Sequence, residues 1–192
     1  MKTKLLMIGA ALLFALTFSA SAIETDYMQT MIDACTTNDV AAGTTAQKAR
    51  NEKIDQLGLS HKKISFEDLY LTSKIVQSEA GSNWISDEHQ RLVASVLINR
   101  MNSSEFPNTI YDVVYQRGQY TGVNSQRFAA MEPSQRATKN ALYILEHGSI
   151  APASVVFQSN FRQGSSVYLH IYDETLGVST YFCHSSHPSL YS

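Results

Sequence analysis

The spacing of apolar residues changes once along this chain of 192 residues, and the change falls near Gly148. Before it, apolar side chains recur at three-and-four intervals in several separate runs. After it, they gather in short β-branched and aromatic runs. Helices first and extended runs last predict an α+β fold, in which a small C-terminal antiparallel sheet closes a mainly helical body. The strongest helical run is capped by Ser86 or Asp87, with Asp87 and Gln90 as a capping-box pair, and Leu92, Val93, Val96, Leu97 and Met101 then fall at helical intervals. Asn99 and Arg100 at its end are either surface residues or braces for the neighbouring loop.

A second helical run, Ser65 to Ala80, ends in a lone acid. Ser65 and Asp68 stand in capping-box spacing, and Leu69, Thr72, Ile75 and Val76 continue at helical intervals up to Glu79. Ala80, Gly81 and Ser82 favour a sharp turn with close approach of another group, and Trp84 supplies an aromatic wall nearby in sequence. A carboxyl on a rigid helix end beside apolar neighbours is the setting that raises a Glu pKa towards neutrality, as a general acid needs. Periodicity alone also allows a solvated helix-end acid.

The other elements follow from local signals. Residues 23–64 read as a polar leader or linker, with one helix between Ala46 and Leu59 that Gly58 breaks. Thr109 and Asp112 open a short helix, and the loop after it, Tyr115 to Thr121, is dense in aromatic and amide groups. Amides match sugar hydroxyls and aromatic rings stack on a pyranose face, so Gln119 and Tyr120 are candidate sugar contacts. Pro133 marks the first turn of another helix that ends at Gly148. Val155-Val156-Phe157, Val167 to Tyr172 and Val178 to Cys183 are the strands, the last two joined by a hairpin loop at Asp173 to Gly177.

Lys2 and Lys4, an apolar run from Leu5 to Phe18 and Ala20-Ser21-Ala22 predict a signal peptide over 1–22, hence a secreted or wall-associated protein with no stable membrane insertion after processing. Its removal leaves 13 basic and 17 acidic residues, a balance that does not seek nucleic acid by charge. The two cysteines, Cys35 and Cys183, are permitted by export to pair in a disulfide.

Several of these patterns, taken in order, resemble the bacterial cell wall hydrolases that include the spore cortex-lytic enzymes. The matching residues are Glu79-Ala80, Glu88-x-Gln90 leading into Val93 to Arg100, Phe106-Pro107-x-Thr109-Ile110, Val113 to Gln116 and Gly118-Gln119-Tyr120. Val156-Phe157, Leu176-Gly177 and Tyr181-Phe182 complete the set. The resemblance implies a lysozyme-like catalytic domain over 65–192 that cuts peptidoglycan glycan strands after N-acetylmuramic acid, by lytic transglycosylation with one acid and no metal or other cofactor. Glu79 takes the position of that acid. Gln119, Tyr120, Trp84 and Phe157 become substrate-binding residues, Asn99 and Arg100 structural support, and the protein a monomer acting in sporulation or germination. The chain departs from many relatives in having Gly81-Ser82-Asn83-Trp84 where they carry a second acid, and Ser179 where they carry His. Rival readings are a non-catalytic peptidoglycan-binding module and a zinc amidase, the latter weakened because His184 and His187, though spaced like ligands, lie in a tail and neither His89 nor His170 falls in a recognised zinc pattern.

Overall fold

The computed structural model describes residues 26–191. The expected signal peptide and the start of the mature chain at Ile23 lie outside them. Helix α1 occupies residues 26–36 of the described part, and α2 (Val40–Leu57), α3 (Phe66–Ala80), α4 (Asp87–Met101), α5 (Ile110–Tyr115), α6 (Gln126–Ala129) and α7 (Gln135–His147) follow. Strands β1 (Val155–Ser159), β2 (Val167–Asp173) and β3 (Val178–His184) come last, before a single 3-10 turn at Pro188–Tyr191. The sheet is antiparallel in the order β1-β3-β2, as an α+β chain with a closing sheet requires.

Helix α4 is the centre of the molecule. Every residue from Leu92 to Arg100 is buried, because α3, α5 and α7 pack around it and β1 lies along its end. The sheet turns Phe182 inward, edge-on to His89 of α4 at 5.5 Å, while Leu169 and Ile171 of β2 pack on the same core. Its junction with the helices is polar: Asn99 Nδ2 donates to the carbonyls of Pro152 (2.8 Å) and Val155 (3.0 Å), and Arg100 Nε donates to that of Val156 (2.6 Å). Asn99 and Arg100 are therefore buried braces of β1, not surface residues.

Local signals set most helix ends. Ser65, Ser86 and Thr109 each accept a hydrogen bond from the backbone N–H three residues on, and Gly58 ends α2 in the left-handed conformation with φ 61°. Two boundaries differ from the sequence expectation. Helix α2 starts at Val40 and runs through the Ala41 to Thr45 stretch that composition suggests is linker, because Asp39 caps it and the ring of Phe66 packs where a Gly43 side chain would stand. Helix α7 starts at Gln135, since Ser134 is the cap and Pro133 precedes it. Residues 26–57 do not trail as a detached leader: Met31, Cys35 and Ala46 enter the core shared by α3, α4 and α7.

The expected Cys35–Cys183 bond is not formed. Both thiols are free and buried. Cys35 lies against Ser73 and Lys74 of α3, whereas Cys183 sits in the central strand opposite Phe157 and Val167.

Candidate active site

Glu79 stands on the last turn of α3, and a buried network holds that helix end. Gln90 Nε2 donates to the Ala80 carbonyl at 2.8 Å, filling one of the acceptors that a helix terminus leaves unsatisfied. Asn140 Nδ2 donates to Gln90 Oε1 at 2.8 Å and to Asp87 Oδ1 at 2.9 Å, and Arg91 Nε donates to Asn140 Oδ1 at 2.8 Å. One residue past the helix, a Cβ on Gly81 would lie 2.1 Å from Gln77 Nε2, so only glycine lets the turn close against Gln77. Gln77 in turn accepts from the backbone N–H of Ser134 at 2.9 Å, tying the turn to the start of α7.

The Glu79 carboxylate makes no hydrogen bond or ion pair among the described residues. Glu79 is exposed by surface area, and the protein atoms around it still desolvate its carboxyl in part. Desolvation raises its carboxyl above the ordinary range, and the Arg100 charge pulls it partly back. Arg100 is only 4% exposed, with its guanidinium carbon 5.2 Å from the centre of the Tyr120 ring and 5.4 Å from that of Phe106. Its Nη1 is buried without a hydrogen-bond partner. Tyr120 has its hydroxyl pushed up by burial, with Arg100 lowering it and Glu79 raising it, so the phenol stays neutral beside the acid.

Of the sequence candidates, Glu79, Arg100 and Tyr120 thus meet in one place, and Phe157 reaches it through an edge-on contact with Phe106 at 6.5 Å. Gln119 is half-buried next to Tyr120 in a turn that Gly118 enters at φ +83°. Trp84 is 66% exposed on the α3–α4 connection and makes no ring contact among the described residues. The alternative acids lie elsewhere: Asp87 accepts from Asn140 and Arg136 at the start of α4, which holds its carboxyl below the usual range, and Glu88 is exposed on the same turn.

The histidines are dispersed. His184 Nδ1 is 2.8 Å from Ser154 Oγ, and His187 Nδ1 is 2.8 Å from Glu105 Oε2. Among the described residues no three His, Cys, Asp or Glu side chains gather so as to hold a metal. Ser179, where many relatives carry His, faces an imidazole from the adjacent strand, with His170 Nε2 at 3.0 Å.

A family model described as Cell Wall Hydrolase matches residues 85–186. The chain belongs to the cell wall hydrolase family. A role in breaking down peptidoglycan goes with that membership. The matched stretch of this cell wall hydrolase runs from α4 through β3 and includes Arg100, Gln119, Tyr120 and Phe157, while Glu79 precedes its start. Among solved structures, the catalytic domain of the Bacillus cereus SleB protein is similar, with a TM-score of 0.46 and 21% identity over 62% of this chain and 91% of that one. No curated protein matches. Among the described residues no helix is long and apolar enough to cross a membrane.

Sequence reasoning missed the Gln90–Asn140 pair that holds the Glu79 helix end. Gln90 reads in sequence as the capping-box partner of Asp87, but Ser86 is the cap and the Gln90 amide turns instead to Ala80 and Asn140.

Proposed function

We propose that this cell wall hydrolase cleaves the glycan strand between N-acetylmuramic acid and N-acetylglucosamine as a lytic transglycosylase, with Glu79 as its single acid and base. The observation that carries the reading is the setting of Glu79: an unpaired, solvent-accessible carboxyl on a braced helix end, beside a buried arginine and a tyrosine. Neutral Glu79 gives its proton to the glycosidic oxygen as the C1–O bond breaks, and the N-acetylglucosamine side leaves as an alcohol. The Glu79 carboxylate then takes the proton of the muramyl 6-hydroxyl as that oxygen closes on C1, which returns the acid and consumes no water.

One group must serve in both protonation states, so opposed influences on it suit the task. Desolvation favours the acid that starts the cycle, and Arg100 steadies the carboxylate that follows. Tyr120, Gln119, Phe157 and Trp84 are proposed to line the strand, with rings for sugar faces and an amide for hydroxyls. Export through residues 1–22, a catalytic unit over 65–192 flanked by the helices before it, and action as a monomer at the wall belong to the same proposal.

The test is digestion of purified peptidoglycan with product analysis by mass spectrometry. Wild type is expected to release anhydromuramyl ends, and Glu79→Gln, which keeps size but cannot pass a proton, to lose about 100-fold or more in rate. Reducing ends would replace transglycosylation by hydrolysis. Free stem peptides would mean an amidase, and binding without release a non-catalytic module.

A further inference from the structure

A cavity of about 530 Å³ opens beside Glu79, and no part of the reaction above uses it. One wall is Gln77 and Ser78, the two residues before Glu79 on α3; another begins at Thr121, the residue after Tyr120. The cavity is thus walled by the chain neighbours of Glu79 and Tyr120, while those two side chains stand outside its lining. Its rim carries Arg127 and Glu132, opposite charges five positions apart. Neither makes a hydrogen bond or ion pair with the other or with any described residue. The intervening backbone is fixed, because the buried Lys74 ammonium donates to the carbonyls of Phe128 (3.1 Å) and Ala129 (2.7 Å). Two unpaired charges of opposite sign are therefore held on a rigid frame at the mouth of a volume that suits a small ligand.

A glycan alone offers such a site little, since its only charge is the lactyl carboxylate that a muramyl unit bears when the peptide is absent, and it has no ammonium for Glu132. The muramyl unit whose bond is cut differs: it carries a peptide arm with free carboxylates and, in many walls, a free amine. That arm branches from the ring at the scissile bond, so it must leave the groove next to Glu79. We propose that the cavity is a subsite for this peptide arm, with Arg127 taking a carboxylate and Glu132 an ammonium, so that peptide-bearing strands are preferred. The proposal rests on the glycan-cleaving reading of Glu79. Both charges are exposed, so the contribution is modest and screened by salt.

The test compares binding of a disaccharide-peptide and of the same disaccharide with its lactyl carboxyl capped as a methylamide to the full mature Glu79→Gln protein, by calorimetry at low and high salt. The peptide-bearing ligand is expected to bind about tenfold tighter at low salt, near 1.4 kcal/mol, with the ratio shrinking as salt rises. Adding Arg127→Gln or Glu132→Gln should bring the ratio towards one. Equal affinities, or a ratio that survives both substitutions, overturns the subsite. Digestion by wild type of strands with and without their peptides runs alongside. If neither is cut, the glycan-cleaving reading falls while the binding ratio still decides the subsite.

Discussion

Glu79 and Arg100 bear on each other through charge, and this yields a prediction at the scale of single residues. The acid must be protonated to start the reaction, so kcat/KM falls as pH rises through the Glu79 pKa, which desolvation has raised and Arg100 has lowered in part. Arg100→Met removes the lowering influence, so the alkaline limb of the pH profile should move to higher pH. Arg100→Lys keeps the charge and should leave the limb near its wild-type position, even though losing the guanidinium bond to Val156 lowers stability. The measurement is the pH dependence of fragment release, each variant scaled to its own maximum. If both variants shift alike, or neither shifts, Arg100 acts as a brace alone. Glu79 was visible in the sequence because a lone acid at the end of an apolar helix is a local pattern. Arg100 was ambiguous there because its partner strand lies 56 positions further along the chain.

At the scale of elements, α2 sets helix propensity against packing. Replacing a helical glycine by alanine ordinarily stabilises by about 1 kcal/mol. A Cβ at Gly43, however, would stand 2.1 Å from Phe66 Cε2. Phe66 is itself fully buried at the start of α3, so the ring has little room to yield. Overpacking of this kind costs about 1–3 kcal/mol, enough to cancel or outweigh the gain. Gly43→Ala is expected to lower the melting temperature by a few degrees, and the added change Phe66→Leu to make the same alanine less harmful. A higher melting temperature for Gly43→Ala alone would mean that α2 does not seat on Phe66.

For the whole molecule, the cysteines report on global packing. Burial pushes the Cys35 thiol up to about 12, with Ser73 and Lys74 lowering it in part, so almost none is thiolate at neutral pH. Cys183 is buried between two strand neighbours. Neither should react with iodoacetamide in the native protein, and both should react in denaturant without reductant, at the pace of unfolding. Protein that stays unmodified in denaturant until reductant is added carries the bond, and the free thiols described above are then wrong for the exported form.

The sequence by itself determined the order and type of most elements, the caps at Ser65 and Thr109, the stop at Gly58, the Asp173 to Gly177 hairpin loop and Glu79 at a helix end. Each of these depends on residues within a turn or two of one another. Only the tertiary structure decided that residues 26–57 join the core, that Gln90 and Asn140 lock the Glu79 helix end, that Arg100 is buried beside the acid, and that the two cysteines lie on different partners. Those depend on helices and strands packed from distant parts of the chain. A polar side chain reads the same in sequence whether water or a neighbouring element satisfies it, and which of the two does so is settled only when the core closes.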